Sequence, residues 1–286
     1  MNVLGFNFGH NATVCYLRDR KIVACVSEER FSGVKNDSGF PHRAVAWILS
    51  KYSLTPADID LVVFPGSVGP VVSAAWPEGG GPSLKGAWEW LYGNVGRSFA
   101  RMPGGSSLYR FLYNRAYWPL KKRIQYDYLR EFDRHGGRPA RMLPLHHHLA
   151  HAHSCLWSVA PRGADGWPED TLVLTADGEG DLLSATVGTW RDRDYRRIAA
   201  TSSHDSLGLL YSAVTSCMGM KPLEHEYKIM GLAPYVSEEW VQRGLDAIGD
   251  LIRVDGLEMH SRVAGHCFGP VLDRRLRRMR FDAVAG

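Results

Sequence analysis

A histidine-rich stretch near the middle of the chain carries the strongest chemical signal in the sequence. Residues 146–154 read HHHLAHAHS and hold five of the twelve histidines of this 286-residue chain. Imidazole is the commonest metal-ligating side chain and titrates near neutral pH. His147 and His151 are four positions apart and would share one face of a helix, and His148 competes geometrically with His147. The stretch indicates a metal site, a set of general bases, or a surface or interface cluster without metal.

Two histidines alone hold a divalent ion poorly, so a carboxylate is needed to complete such a site. The motif DGEGD follows the histidines in the chain, and we predict it at the tip of a β-hairpin, with Asp177, Gly178, Gly180 and Asp181 in the turn. Asp177 or Asp181 could supply the carboxylate. The glycines would let a phosphate approach the backbone N–H groups, although Asp-Gly is also favoured in ordinary hairpin turns.

A second glycine turn, FGHNAT at residues 8–13, follows the first predicted strand. His10 and Asn11 lie at its tip, where they could meet a substrate or serve simple turn chemistry. Lys35, in the polar stretch beyond EERF, could bring a cation to the same edge, although the pattern alone favours an ordinary solvated charge run.

The motif EHEYKIMGLAPY contains two further candidates, Lys228 and Gly231. They could contact a nucleotide. Equally, Lys228 could form a surface ion pair and Gly231 could end a short helix.

Both helices and strands are needed to position these groups, and the hydrophobic pattern predicts an α/β fold. VLGFNFG, ATVCYLR and KIVACVSEER predict a meander of strands, followed by an amphipathic helix with Pro41 in its first turn and by the buried strand IDLVVFPG. ARMLPL predicts a strand before the histidine helix. SLGLLYSAVTSCMGM predicts a helix capped by Ser206 or Asp205.

Two regions are less regular in sequence. Residues 66–107 are rich in Gly, Pro, Ser and Trp, which predicts a long functional or mobile loop; its tryptophans could wall an acceptor site or pack in a core. Residues 108–134 read as helical with a break near Pro119. The chain ends in DRRLRRMRFDAVAG, within an amphipathic pattern, so we expect an incomplete domain.

The composition is that of an ordinary globular protein, with 45% hydrophobic and 22% charged residues and a net charge of +4. This charge is far below that of a nucleic-acid-binding protein. The five cysteines are odd in number and scattered, which favours reduced thiols over a disulfide framework. The sequence contains no membrane-span pattern and no secretory signal pattern. We therefore expect a cytoplasmic protein without nucleic-acid or membrane partners.

Taken together, five motifs resemble the NodU/CmcH-type O-carbamoyltransferases in type and order. They cover about residues 2–236 and read GFNFGHNAT…VACVSEERFSGVKNDSGFP, HHHLAHAHS, TADGEGD, SLGLLYSAVT and EHEYKIMGLAPY. The resemblance implies an actin-like (ASKHA, ribonuclease H-like) mixed sheet flanked by helices, akin to the tRNA threonylcarbamoyl-transfer proteins. Residues 1–286 would be this N-terminal domain with its second half incomplete, and a C-terminal carbamoyl-adenylate-forming domain would be absent or supplied by a partner chain. A homodimer is possible.

The activity that the resemblance implies has two steps. Carbamoyl phosphate and ATP form carbamoyl-adenylate and pyrophosphate, and the actin-like domain then passes the carbamoyl group to a hydroxyl of a small molecule. Natural-product or nodulation-factor-type biosynthesis would be the setting. A divalent metal takes part, with Fe²⁺ favoured by the resemblance and Zn²⁺ or Mn²⁺ as alternatives.

Site roles follow from the same resemblance. His147, His151 and Asp177 fall on the metal ligands, and His10 and Asp177 on catalytic positions, with His10 as candidate general base. The acceptor side takes His10, Asn11 and Lys35. The nucleotide side takes the four residues Gly178, Gly180, Lys228 and Gly231.

The sequence departs from the family pattern at two motif positions. Asn11 stands where Asp is common, and Val236 where Gly is usual. These departures, with the early end of the pattern, keep open a degenerate actin-like nucleotide-binding module without catalysis of its own. A metal-dependent hydrolase acting without ATP is a third hypothesis.

Overall fold

The computed structural model describes residues 1–9, 11–66, 98–117, 129–159, 170–192 and 194–278. The chain divides into two compact units, of which the first comprises Met1–Trp88 with Asn114–Ala150 and the second Glu89–Tyr113 with His151–Gly286. In the described ranges, no helix combines the length and the apolar character that crossing a bilayer requires.

Unit 1 contains a mixed five-stranded sheet flanked by helices. Its strands are β1 (Asn2–Asn7), β2 (Thr13–Arg18), β3 (Lys21–Ser27), β4 (Leu61–Pro65) and β5 (Met142–Leu145), and its helices are α1 (Glu29–Ser32) and α2 (His42–Lys51). The strand order is β3-β2-β1-β4-β5. The first three strands form the predicted antiparallel meander, whereas β4 is parallel to β1 and β5 is parallel to β4.

An aromatic core explains why these strands alternate in burial. The ring centroid of Phe6 lies 5.4 Å from that of Phe40 and 5.4 Å from that of Phe132, and the Phe8 ring stacks on Phe6. Because successive strand residues point to opposite faces, this alternation directs one face of β1 into the core. The sheet is therefore fixed in register by large apolar side chains.

The predicted helix α2 is present, but Pro41, predicted in its first turn, is the N-cap residue directly before His42. Two backbone N–H groups of its first turn are capped by a residue outside the helix. The buried Glu28 carboxylate accepts hydrogen bonds from the backbone of Arg43 (3.0 Å) and Ala44 (2.9 Å). An anion at a helix N-terminus is favoured by the helix dipole. This cap ties the end of β3 to α2.

Unit 2 consists of two small antiparallel sheets and several helices. Its strands are β6 (Thr171–Gly180), β7 (Leu183–Arg191), β8 (Asp194–Ser202), β9 (Ile252–Asp255) and β10 (Glu258–Ser261). Its helices are α3 (Gly105–Leu112), most of α4 (His147–Val159), α5 (Leu207–Cys217), α6 (Glu226–Leu232), α7 (Glu238–Ile248) and α8 (Phe268–Arg278). Strands β6, β7 and β8 form one sheet in that order, and β9 pairs with β10.

Short helical turns complete the described chain. They are the 3₁₀ turns Pro56–Asp58, Leu129–His135, Ser203–Asp205, Ala233–Tyr235 and Gly265–Cys267, and the π-type turn Tyr113–Tyr117.

Several predictions about these elements were wrong in detail. The tip of the β6–β7 hairpin is Asp181-Leu182, both with positive φ, so Asp177, Gly178 and Gly180 belong to β6 instead of the turn. Strand β8 and the hairpin of β9 and β10 were missed, although Asp255-Gly256 at that turn is a recognisable hairpin signal.

The predicted loop over residues 66–107 also ends earlier than expected, because residues 98–101 are already helical and α3 begins at Gly105. The break predicted near Pro119 lies outside the described residues, as do the tryptophans at positions 76, 88, 90 and 118.

Candidate metal centre

Helix α4 carries the histidine pair. It starts at His147, so His147 and His151 are one turn apart on a single continuous helix, as predicted. In unit 2, Ala152 and Leu156 of this helix pack on Val173 and Trp190 of the neighbouring sheet. The apolar side of the helix thereby holds it against β6, and its imidazoles lie beside the strand that carries Asp177.

The other histidines of the stretch have different surroundings. His148 is 1% exposed and lies edge-to-face with His147, at 5.7 Å between ring centroids. His153 stacks edge-on against Trp190 at 5.9 Å. Among the described residues, the ligand atoms that converge are those of His147, His151 and Asp177, so His148 does not take the role of competing ligand that the sequence left open. His153 packs against the Trp190 ring.

Asp177 lies in an irregular part of β6. The β6–β7 pairing shifts register between Ala176 and Gly180, which turns the intervening residues out of the regular ladder. One oxygen of Asp177, Oδ1, accepts the backbone N–H of Gly178 at 2.6 Å. The other, Oδ2, lies 3.4 Å from Nε2 of His151.

His147, His151 and Asp177 are brought together as predicted. Each offers one ligand atom, and these three atoms lie within 4.8 Å of one another. Two imidazole nitrogens and one carboxylate oxygen form a donor set that suits Fe²⁺, Zn²⁺ or Mn²⁺ and leaves further coordination positions open. The residues present therefore fit the divalent metal that the sequence predicted.

The contact between His151 and Asp177 also sets the proton affinity of the pair. The hydrogen bond that protonated His151 donates to Asp177 raises the pKa of His151 above its usual value, against an opposing effect of burial. Since an imidazole must be neutral to bind a metal ion, a proton on His151 competes directly with the metal.

The start of α5 contacts the bulge in β6, which is the irregular segment between Ala176 and Gly180. Ser206 is the N-cap of α5, as predicted, and its hydroxyl accepts the N–H of Leu209 at 3.0 Å. The same hydroxyl lies 3.3 Å from the carbonyl oxygen of Asp177. A Cβ on Gly208 would lie 3.0 Å from the Asp177–Gly178 backbone, closer than ordinary van der Waals contact, so a larger residue there requires the two segments to move apart.

The predicted acceptor residues lie in unit 1. Asn11 is exposed with φ of 59°, and its carbonyl accepts the Thr13 hydroxyl at 2.7 Å. Lys35 is exposed in the loop after α1. That loop is joined to the first glycine turn by two backbone hydrogen bonds, from Ala12 to Asp37 and from Gly39 to Phe8. His10 lies outside the described residues.

The predicted nucleotide residues are spread over two elements of unit 2. The N–H of Gly178 is engaged by Asp177, and Gly180 is paired with Leu183. Lys228 and Gly231 lie on α6, with the Lys228 ammonium 6.0 Å from the ring centre of Tyr227. Their role in nucleotide binding stays a prediction.

The comparison with known protein families decides the relationship. Residues 2–262 match the sequence model of the family described as "Carbamoyltransferase N-terminus". The chain belongs to this carbamoyltransferase family.

Three similar proteins align with most of this chain. Nodulation protein NolNO of Sinorhizobium fredii is 28% identical over 80% of this chain and 28% of its own length. Uncharacterized protein sll1178 of Synechocystis sp. is 30% identical over 89% of this chain and 38% of its own length. Uncharacterized protein MJ1051 of Methanocaldococcus jannaschii is 27% identical, over 83% and 34% respectively. The chain thus spans about a third of the length of these relatives.

Sequence reasoning missed a polar cluster beside the centre of this carbamoyltransferase-family chain. Glu179, two residues after Asp177, accepts a hydrogen bond from the Tyr113 hydroxyl and lies 3.2 Å from Nε2 of His266. Only the position of Glu179 inside DGEGD could have drawn attention to it. His266 stands in no motif.

A second part of this cluster surrounds Asp205. Its carboxylate receives two hydrogen bonds from Arg110, at 2.9 and 3.3 Å, and one from the backbone of Ser261 at 2.8 Å. Burial acts to raise the pKa of Asp205, but these hydrogen bonds outweigh it and lower the pKa overall. Next to it, burial lowers the pKa of His204 to about 4. The cluster therefore keeps one ion pair and one neutral imidazole behind the candidate centre.

Proposed function

We propose that this chain is the carbamoyl-transferring part of an O-carbamoyltransferase with an actin-like fold. In the proposed reaction a carbamoyl group passes from carbamoyl-adenylate, formed from ATP and carbamoyl phosphate, to a hydroxyl of a small molecule. Family membership supports the transferred group, and the mixed sheet flanked by helices supports the fold class. The observation that carries the proposal is the convergence of His147, His151 and Asp177.

The chain's own residues would divide the work as follows. His147, His151 and Asp177 would hold a divalent cation, which supplies a Lewis acid for the carbamoyl carbonyl when it is bound. His10 would accept the proton of the acceptor hydroxyl as its oxygen bonds to the carbamoyl carbon and AMP leaves. Asn11 and Lys35 would orient the acceptor.

The nucleotide would lie beside the Gly178–Gly180 segment, with Lys228 and Gly231 on its other side. Cytoplasmic location, a homodimer and a partner domain or chain that makes carbamoyl-adenylate belong to the same proposal. The identity of NolNO as a nodulation protein is consistent with a carbohydrate-like acceptor, since nodulation factors were the acceptors implied by the sequence resemblance.

Metal binding is the first test, because it needs neither acceptor nor partner. Isothermal titration of the metal-free chain with Mn²⁺, Zn²⁺ and, without oxygen, Fe²⁺ should show one site. His151→Ala should weaken binding at least about 100-fold, since a ligand contributes more than the tenfold to 100-fold of an outer-shell partner. His153→Ala, an exposed histidine of the same helix, is the matched control and should bind as the parent does. Equal affinity in all three chains would rule out the assigned centre.

Transfer is tested in the complete protein. With carbamoyl phosphate, ATP and a hydroxyl acceptor, we expect pyrophosphate release and a carbamoylated product. His147→Ala should abolish transfer while leaving pyrophosphate release, because adenylate formation would occur in another domain. Nucleotide binding without transfer or pyrophosphate release would instead support the non-catalytic module, which the departure at Asn11 favours.

A further inference from the structure

A pair of cysteines lies directly opposite on neighbouring strands of unit 1. Cys15 of β2 and Cys25 of β3 are register partners in the antiparallel pairing. Opposed residues in antiparallel strands have Cα atoms about 4.5 to 5.5 Å apart. A disulfide needs about 4.4 to 6.8 Å, so the backbone already has the spacing that a bridge requires.

The neighbours of the pair leave room for a bridge. On the other side of Cys15 the register partner is Gly5, whose missing side chain leaves the Cys15 Cβ beside bare backbone. Along the strands the preceding pair on this face is Thr13 with Ser27, joined by a 3.0 Å hydrogen bond. Both cysteines are free thiols, with Cys15 half-buried and Cys25 exposed on the edge strand.

We propose that Cys15 and Cys25 form a thiol pair that hydrogen peroxide converts into a cross-strand disulfide and that a dithiol reductant restores. The role is independent of the proposed carbamoyl transfer, since neither cysteine is among the proposed metal-binding, acceptor-binding or nucleotide-binding residues.

The chemistry proceeds in two balanced steps. The Cys25 thiolate attacks peroxide, the O–O bond breaks, and a sulfenic acid and hydroxide form. This hydroxide takes up the proton that the Cys25 thiol released and becomes the first water. The Cys15 sulfur then attacks the sulfenic sulfur, the S–O bond breaks, and the departing hydroxide takes the Cys15 proton and becomes the second water. In total two thiols and one peroxide yield one disulfide and two waters.

The division of roles follows from the surroundings of the two sulfurs. The hydrogen bond from Cys15 lowers the pKa of Cys25 to about 6, whereas the same contact and burial raise the pKa of Cys15. A thiolate that is exposed and stabilised is the one that oxidants reach first. Cys25 is thus the attacking residue and Cys15 the resolving one.

The sequence offers a direct assay, because tryptic cleavage after Arg18 and Lys21 places the two cysteines in separate peptides, residues 1–18 and 22–30. Metal-free chain is treated with peroxide at neutral pH, remaining thiols are alkylated, and the digest is analysed without reduction. We expect these two peptides linked, two hydrogens lighter than their sum, and separated again by dithiothreitol.

Variants distinguish the pair from general oxidation. Cys15→Ser should leave Cys25 as a sulfenic acid that dimedone traps, and Cys25→Ser should remove both the link and the trapped species. Cys217→Ser, which changes an exposed cysteine of α5, should form the link as the parent does. Recovery of Cys15 and Cys25 as unlinked peptides, or their linkage to other cysteines, would overturn the proposal.

A second readout reports whether the bridge fits the sheet. The bond would close a loop of about ten residues and restrict the unfolded chain, so the oxidised parent should melt a few degrees higher than the reduced parent. The Cys25→Ser chain should show no such shift. A lower melting temperature in the linked chain would contradict the register argument, because it would mean that the bond distorts β2 and β3.

Discussion

The interiors of the two units are built from different chemistry. Unit 1 is centred on the rings of Phe6, Phe8, Phe40 and Phe132, stacked at about van der Waals contact. Unit 2 has apolar clusters as well, but beside β6 it groups several ionisable side chains: His204 and Asp205 are buried and Glu179 is largely buried. Unit 1 also buries ionisable groups, Glu28 and His148, outside its aromatic cluster.

This difference bears on how each unit positions a site. Apolar burial is non-directional, and cores tolerate substitutions that preserve volume. Buried polar groups require partners at defined distances, and losing one partner leaves the other without compensation. We therefore expect unit 1 to depend on packed volume and unit 2, which carries Asp177, to depend on particular contacts and on pH.

The largest expected effect tests the aromatic core. Phe6→Ala should lower the free energy of unfolding by about 3 to 5 kcal/mol, the range for removing a buried phenylalanine. Urea unfolding followed by circular dichroism measures this. The matched control is Phe111→Ala on α3, where the ring is 59% exposed, and it should cost less than about 0.5 kcal/mol. Similar losses at both positions would contradict the assignment of the core.

Acid sensitivity tests the polar interior. His204 has a pKa of about 4 in the folded chain and about 6.5 when unfolded, so the unfolded state binds more protons between these values. Stability is then lost as pH falls from about 6.5 to about 4, by about 3 kcal/mol from this residue alone. His204→Phe keeps the ring contacts with Tyr109 and Tyr113 and should remove this part of the pH dependence.

The measurement for His204 is the urea midpoint at several pH values in both chains. Burial also lowers the pKa of His42 and His135 in unit 1, so the variant should retain some loss in acid. Parallel curves for parent and variant would show that His204 is not the residue responsible.

Metal affinity should also depend on pH, but here the relevant pKa, that of His151, is raised, whereas that of His204 is lowered. Because Asp177 raises the pKa of His151, protonation competes with metal from a higher pH than for a free imidazole. Below that raised pKa the affinity should fall about tenfold per pH unit. In Asp177→Asn, affinity should be lower overall, but its decline should begin at a lower pH. Calorimetric titrations between pH 5 and 8 check both, and a pH-independent affinity would be inconsistent with His151 as a ligand.

The smallest expected effect concerns the support behind the bulge. Gly208→Ala places a Cβ within 3.0 Å of the Asp177–Gly178 backbone, so we expect a net loss of about 1 kcal/mol in stability and weaker metal binding. Gly231→Ala on α6 is the matched control. The space around Gly231 is open, so alanine there should be neutral or stabilise the helix by up to about 1 kcal/mol. Equal behaviour of the two variants would mean that the bulge yields to the added methyl group.

Local patterns in the sequence determined the meander of β1 to β3, helix α2 and the Ser206 cap, because period and capping chemistry act over a few residues. The i, i+4 spacing placed His147 and His151 on one helix face for the same reason. Strand β8 was not predicted because four of its nine residues are charged or exposed, so it lacks the alternation of a half-buried strand.

Only the tertiary structure decided how a carboxylate reaches the histidines. Spacing allowed Asp177 or Asp181 and the family resemblance implied Asp177; a register shift in β6 brings Asp177 to His151, while Asp181 forms the turn. The burial of His148 and the cluster around Asp205 likewise arise from strands and helices distant in sequence. Such contacts depend on how elements pack, and packing is a property of the whole chain that no local pattern contains.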